Sequence, residues 1–162
     1  MNSRSRQPSQ VHFKLASLDD LPILMNHMQA FHEFDHITPF DTNHARTAME
    51  KVVTDKTVGR VWLIQQATEQ QATATIGYIV LTLGYRLEYR GDYGFLDELY
   101  IREDKRGQGI GTQALLFLHK ACVQLKLNKL QLEVRQDNPR AAALYERAGF
   151  EFQSRDMLVL EC

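Results

Sequence analysis

Residues 95–112 read FLDELYIREDKRGQGIGT and contain the most informative pattern in the chain, a strand that leads through glycines into a helix. Its first part, Phe95–Ile101, predicts a strand of mixed apolar and acidic character. Glycines at 107, 109 and 111 follow, and an apolar stripe of helical spacing begins at Ile110. Where a strand turns into a helix, the first amides of the helix are unpaired and the helix dipole favours negative charge. The stretch therefore predicts a cradle of backbone amides for an oxygen-rich anion, with glycines because a Cβ would hold the anion away.

Periodicity in the rest of the chain predicts further strands and helices. We expect strands at Val11–Leu15, Val61–Gln65, Thr75–Leu83 and Leu130–Val134, with closing strand material at Phe152 and Met157–Leu160. We expect helices from a capping box at Ser17 to about His36, after Asp41 or Thr42, from Ile110 to Leu125 and between Asn138 and Gly149.

The order of these elements predicts the sheet. The polar stretch Gln66–Gln71 predicts a hairpin loop and so antiparallel pairing, whereas strand, helix, strand over residues 95–135 predicts a right-handed crossover and a parallel pair. The fold class is therefore α/β, with a central mixed, mostly antiparallel twisted sheet of about six to seven strands and helices on both faces.

Length, composition and charge restrict the function. Residues 1–10 are polar and have no apolar periodicity, so we expect a flexible N-terminal tail there. The length of 162 residues predicts a single domain, at residues 11–162. Nineteen basic and twenty acidic side chains leave a net charge of −1, whereas a nucleic-acid binder normally has a basic surplus. No apolar run approaches the ~20 residues that cross a bilayer, and the first residues lack the apolar centre of a signal peptide. The sequence predicts a cytoplasmic protein with no nucleic-acid or membrane partner.

The glycine run excludes two familiar phosphate loops. A dinucleotide fingerprint begun at Gly107 would need glycine at position 112, which is Thr112, and GxxxxGK[ST] does not occur. The pattern [Q/R]xxGx[G/A] does match, as Arg106, Gly109 and Gly111. Together with LDELYI at residues 96–101 and NPRAAALYERAGF at residues 138–150, it resembles the GNAT superfamily of acetyl-CoA-dependent N-acetyltransferases.

This resemblance implies acetyl-CoA as co-substrate and no metal. The backbone of Leu99, Tyr100 and Ile101 is the expected partner of the pantetheine amides, and Asn138 borders the pantetheine arm. Tyr145 lies two helical turns after Asn138, and in the family this tyrosine protonates or hydrogen-bonds the departing sulfur, although a merely packed aromatic is the alternative. The pyrophosphate loop comprises Arg106, Gly107, Gln108, Gly109, Ile110, Gly111 and Thr112.

Acyl transfer to an amine needs a base, because free amines are protonated at neutral pH. Asp97 and Glu98 are neighbours on the strand that enters the loop, so only one should face a given side of the site. Resemblance to family members with an acidic base on this strand favours Glu98, with Asp97 as substitute if a bulge shifts the register. A solvated acidic pair beside Tyr100, or a water chain as base, is the alternative.

The acceptor is expected to be a primary amine of a small cationic molecule, with a protein N-terminal or lysine amine as the alternative. We assign substrate binding to Glu33, His36 and Glu98. A cleft lined by carboxylates concentrates cations, and LDELYI also resembles the corresponding strand of diamine and polyamine acetyltransferases. The sequence leaves a homodimer open. The acidic residues expected on the acceptor side are Glu33, Asp35, Asp41, Glu88, Asp92, Asp97 and Glu98.

Two other functions compete with acetyl transfer. Residues 32–36 read HEFDH, which satisfies HExxH, the zinc hydrolase pattern of two histidines one helical turn apart. The predicted helix ends right after His36, and the later histidines, His44 and His119, do not stand out as a third ligand. A non-catalytic acyl-CoA-binding sensor with the same fold is the other alternative. We therefore predict no metal site, and a polar helix end at the acceptor side of the cleft.

Overall fold

The computed structural model describes residues 11–37, 39–67 and 73–161. The predicted tail at residues 1–10 lies outside these ranges. The strands are β1 (Val11–Leu15), β2 (Gly59–Ala67), β3 (Thr73–Arg86), β4 (Gly91–Ile101) and β5 (Lys129–Leu132). The helices are α1 (Leu21–Phe34), α2 (Thr42–Thr54), α3 (Ile110–Gln124) and α4 (Pro139–Arg147).

The strands form one mixed sheet in the order β1-β2-β3-β4-β5. The first four strands pair antiparallel with their neighbours. Strands β4 and β5 pair parallel, and α3 connects them along the chain. The predicted α/β class, the antiparallel pairing of β2 with β3 and the parallel pair are therefore confirmed, whereas residues 68–71 of the predicted hairpin loop lie outside the described residues. In the described part of the chain, no helix is both long and apolar enough to cross a bilayer.

The sheet has fewer strands than expected. Five strands occur in the described residues, because neither Phe152 nor Met157–Leu160 forms one. Phe152 is 68% exposed and Leu158 is 94% exposed, so this apolar segment lies on no core surface. A strand needs a neighbouring strand to pair with and a surface to pack against, as well as residues that favour β structure. The apolar pattern of this segment indicates only that such residues are present.

Helices cover both faces of the sheet, as predicted. The spacing of Ile110, Ala114, Leu118 and Ala121 on α3 buries these residues against one face. The other face packs against α1 and α2, where Leu24 and Met49 are buried. The chain thus has two apolar layers with the sheet between them.

A β-bulge in β4 determines which side chains share a face. Val80 of β3 pairs with Glu98, but its neighbour Leu81 pairs with Leu96, so Asp97 is the extra residue. As a result Leu96 and Leu99 both pack on the α3 face, whereas an unbulged strand would separate them. Glu98 is on the opposite face, toward α1.

Candidate active site

A cleft of about 750 Å³ opens where β4 and β5 separate. The two strands pair only between Tyr93–Leu96 and Lys129–Leu132, and β4 then continues to Ile101 without a neighbour on that side among the described residues. The rest of the wall comes from the glycine loop, the start of α4 and the end of α1. Thirteen of the predicted site residues line this cleft, namely Asp97, Glu98, Leu99, Tyr100, Ile101, Arg106, Gly107, Gly109, Ile110, Gly111, Thr112, Asn138 and Tyr145.

The glycine loop has the backbone conformation of an anion cradle. Gly107 and Gly109 have φ of +76° and +78°, a region that disfavours side chains. A Cβ on Gly109 would meet nothing within 4 Å, so open space lies in front of it. No side chain caps α3, which begins at Ile110, and its first amides are therefore available to a ligand. Gln108 does not line the cleft, and its side-chain amide donates to the Asp104 carbonyl at 3.3 Å.

Cations surround this loop. Lys105, Arg106 and Arg140 all line the cleft beside the glycines. The Arg106 Nε donates to the Ile101 carbonyl at 2.8 Å, and its guanidinium carbon lies 4.0 Å from the centre of the Phe34 ring. This end of the cleft therefore suits an anionic group, and Arg106 bridges it to α1.

Glu98 is held at both carboxylate oxygens. The Tyr78 hydroxyl donates to Oε2 at 2.6 Å, and His32 Nε2 lies 3.1 Å from Oε1. The Glu98 side chain is only 12% exposed. Burial raises the pKa of Glu98, and the hydrogen bonds from Tyr78 and His32 act against that rise. An oriented carboxylate with a raised pKa is suited to accepting a proton near neutral pH.

Asp97 occupies a different environment in the same cleft. It is exposed at the bulge and has no hydrogen-bond partner among the described residues. Desolvation in the cleft and the negative charge of Glu133 raise the pKa of Asp97. Asp97 and Glu98 both line the cleft, and the bulge that would let Asp97 substitute for Glu98 is present, so the choice of base between them stays a prediction.

Tyr145 enters the cleft from α4. Asn138 caps this helix by accepting the Ala141 amide at 3.1 Å, as the sequence predicts. The Tyr145 ring packs edge-on against Phe150 at 5.8 Å, and no described residue hydrogen-bonds its hydroxyl. Burial, and then the negative charge of Asp35, raise the pKa of Tyr145, so the phenol keeps its proton.

Two predicted substrate-binding residues lie away from the cleft. Glu33 is exposed and accepts a hydrogen bond from Gln29, one turn earlier on α1. The helix ends at Phe34, and His36 is exposed with φ of +57°. Of the two histidines in this segment, His32 lines the cleft, although the sequence indicates it only as part of HExxH. Its contact with Glu98 bridges residues far apart in the sequence, so no local pattern could have indicated it.

The zinc pattern does not form the geometry that it requires. Its two histidines must lie on one continuous helical turn, but α1 ends between His32 and His36. Within residues 11–37, 39–67 and 73–161, no group of three His, Cys, Asp or Glu side chains could hold a metal ion.

The acidic lining of the cleft is smaller than the set expected from the sequence. Glu88 instead pairs with Arg155 at 2.8 Å, and Asp41 caps α2. Glu133, beyond the end of β5, lines the cleft and was not expected there. The carboxylates in the lining are Asp35, Asp97, Glu98 and Glu133.

Comparison with known proteins identifies the family. The sequence pattern of the Acetyltransferase (GNAT) family matches residues 24–150. The chain belongs to this family. Proteins of this family transfer acetyl groups from acetyl-CoA, and the cleft contains an open glycine loop and a strand edge that no described residue pairs with.

Three individual proteins that are similar to this chain share about a third of its residues or fewer. Thialysine N-epsilon-acetyltransferase of Bos taurus is 28% identical over 81 residues, which are 50% of this chain and 47% of that protein. An integron cassette protein from the mobile metagenome of Cole Harbour Salt Marsh is 32% identical, with a TM-score of 0.78 over 92% of this chain and 89% of that one. Aminoglycoside N-acetyltransferase AAC(6')-Iy, solved with CoA, shares the fold at 10% identity, with a TM-score of 0.77 over 96% of this chain and 97% of that one.

Proposed function

We propose that this enzyme transfers the acetyl group of acetyl-CoA directly to a primary amine of a small cationic molecule. Glu98 acts as general base and Tyr145 as general acid. The observation that carries the proposal is that both side chains line one cleft along the unpaired edge of β4, while Tyr78 and His32 orient the base. A cytoplasmic location stays a prediction of the sequence.

The glycine loop and the edge of β4 are the residues that would hold the co-substrate. The amides at the start of α3 would bind the pyrophosphate, with Lys105 and Arg140 contributing positive charge. The backbone of Leu99–Ile101 would pair with the pantetheine amides as an added strand does. In the structure the Ile101 carbonyl accepts from Arg106, and its second lone pair can accept a hydrogen bond from the pantetheine arm.

The proposed reaction needs three proton transfers. Glu98 takes a proton from the incoming ammonium, and the neutral amine attacks the thioester carbonyl. When the carbon–sulfur bond breaks, the Tyr145 hydroxyl gives its proton to the leaving sulfur. The nitrogen, which is positively charged after the attack, then gives its extra proton to the resulting Tyr145 phenolate. The raised pKa of each group suits its role, because Glu98 becomes a better proton acceptor and Tyr145 remains protonated until the sulfur leaves. Asp97 lines the same cleft and is the alternative base.

Charge supports a cationic acceptor. The carboxylates of Asp35, Asp97, Glu98 and Glu133 line the cleft and would attract a molecule with more than one ammonium group. The names of two similar proteins describe acetyl transfer to thialysine and to aminoglycosides, which are small molecules with several amines.

A panel of amines tests this function. Acetyl-CoA is mixed with diamines, amino sugars, free amino acids or peptides with free amines, and thiol release is followed, with Glu98→Gln as the matched control. We expect the highest kcat/KM for diamines or amino sugars, and a KM that rises with ionic strength. Higher kcat/KM for neutral or acidic amines contradicts the cationic acceptor, and a preference for peptides indicates a protein acetyltransferase. Acetyl-CoA binding without turnover on any amine indicates a sensor.

A further inference from the structure

A second groove, of about 310 Å³, lies between α1 and α2. It shares His32 and Ile37 with the main cleft, so both spaces border the residue that contacts Glu98. The catalytic roles proposed above leave this groove unused. Its position next to the cleft places it within reach of the part of an acceptor that is remote from the reacting amine.

The lining of the groove has two chemical parts. One part is apolar and comprises Met28, Ile37, Pro39, Phe40, Ala45 and Ala48. The other part is polar and comprises Asp41 and His44. A ligand that fits both parts has a hydrocarbon segment and a cationic end, because hydrocarbon gains from leaving water and a carboxylate attracts a cation.

Asp41 can accept a further hydrogen bond. Its Oδ1 accepts the amides of Asn43 and His44, and its Oδ2 lies 2.8 Å from His44 Nδ1. A carboxylate oxygen has two lone pairs, so Oδ2 keeps one position for a donor from solvent or from a ligand. The hydrogen bonds to the backbone and to His44 lower the pKa of Asp41, which therefore stays ionised at neutral pH.

We propose that the groove holds the carbon chain of an aliphatic diamine acceptor, with the reacting amine at Glu98 and the second ammonium at Asp41. This inference rests on the proposed function and adds the position of the chain and of the second charge. The hydrocarbon passes His32 and Ile37 and packs against the apolar wall. Acceptor preference then depends on chain length as well as charge, since only one length brings the two amines to the two carboxylates.

Steady-state kinetics with matched variants tests the inference. The substrates are ethylamine, n-alkylamines and α,ω-diamines of increasing length, each at saturating acetyl-CoA. Asp41→Asn removes the charge while keeping an N-cap residue, and Glu50→Gln removes a carboxylate elsewhere on α2, where Glu50 pairs with Arg46. Ala48→Phe fills the groove, and Thr47→Phe adds the same ring at an exposed position outside the groove.

We expect Asp41→Asn to raise the KM of the best diamine by about threefold to fivefold, the range of an exposed ion pair, and to leave alkylamines unchanged. We expect Ala48→Phe to lower kcat/KM about tenfold for long amines of both kinds and to leave ethylamine unchanged. The two control variants should behave as wild type.

Failure of the inference differs from failure of the proposed function. If wild type acetylates amines but the Asp41 and Ala48 variants keep its selectivity, the groove is not the diamine site. The same conclusion follows if diamines are poor substrates while amino sugars are good ones. If wild type acetylates no amine at all, both the inference and the proposed function are overturned.

Discussion

The Tyr78 hydroxyl on β3 donates a 2.6 Å hydrogen bond to Oε2 of Glu98 on β4. Tyr78 is fully buried, with the rings of His27 and Tyr100 at 6.5 and 6.0 Å, and burial and the adjacent charge raise its pKa well above the ordinary value. The phenol is therefore always a donor at neutral pH. It fixes the direction of the carboxylate and stabilises the ionised form that a base needs.

Loss of this hydrogen bond should shift the pH dependence of activity. Tyr78 lowers the pKa of Glu98, so Tyr78→Phe should raise that pKa. Because Glu98 acts when deprotonated, the acidic limb of kcat/KM against pH should move upward by about one unit, with activity approaching wild type at high pH. Tyr85→Phe, at an exposed tyrosine of the same strand, is the control. If the acidic limb of kcat/KM stays at the same pH in Tyr78→Phe, Tyr78 contributes to packing and not to the pKa of Glu98.

The identity of the base is tested by Glu98→Gln and Asp97→Asn. Glutamine can still accept from Tyr78 but cannot take a proton, so we expect kcat at neutral pH to fall by roughly 10² to 10⁴. Higher pH should restore part of this loss, because more of the amine is already neutral. We expect Asp97→Asn to cost only a few-fold. The opposite order of effects would make Asp97 the base, and small losses in both would point to a water chain.

Tyr145→Phe separates proton donation from packing. We expect the fold and the Kd for acetyl-CoA to be retained and kcat to fall by roughly 10² to 10⁴, since only the hydroxyl is removed. Phe150→Leu removes the aromatic contact of Tyr145 while keeping the hydroxyl, and should leave kcat within a few-fold. A loss below about fivefold in Tyr145→Phe would assign this residue to packing.

The anion cradle is tested by two glycines of similar geometry. Gly109 and Gly149 have φ of +78° and +92°, and a Cβ on either would meet nothing within 4 Å, but only Gly109 lines the cleft. Gly109→Ala and Gly149→Ala should therefore lose similar stability, roughly 1–2 kcal/mol in thermal unfolding. Calorimetric titration should show weaker acetyl-CoA binding for Gly109→Ala alone, and a larger loss than for Arg106→Ala. Equal affinity in the two alanine variants would exclude the cradle.

Chelation tests the remaining metal hypothesis. Aminolysis of a thioester requires no metal, so activity on the best amine should survive thorough dialysis against EDTA. The variant His32→Gln should lose acetyl transfer through the contact with Glu98 and not through metal loss. Stoichiometric zinc, with peptidase activity that disappears on chelation, would instead support the HExxH interpretation.

Local sequence patterns predicted the features that depend on neighbours along the chain. The bounds of β1, the glycine turn into α3 and the cap of α4 by Asn138 all agree with the structure. Motif resemblance added the acidic pair of β4, which lies shortly before the glycine loop, and Tyr145, which lies two helical turns after Asn138 on the continuous helix α4. Such features follow from backbone preferences and from periodicity over a few residues.

Only the tertiary structure decided which distant groups meet. Glu98 is 20 residues from Tyr78 and 66 from His32, so nothing local could pair them. The bulge at Asp97 depends on the register against β3, and the missing strand at Met157–Leu160 depends on the lack of a neighbouring ladder. Sequence periodicity predicts on which face of a helix or strand a side chain lies. Which residues that face contacts depends on how separate helices and strands pack together. The motifs of the sequence were therefore enough to indicate the family, and packing determined how Glu98 is held and what lies beside it.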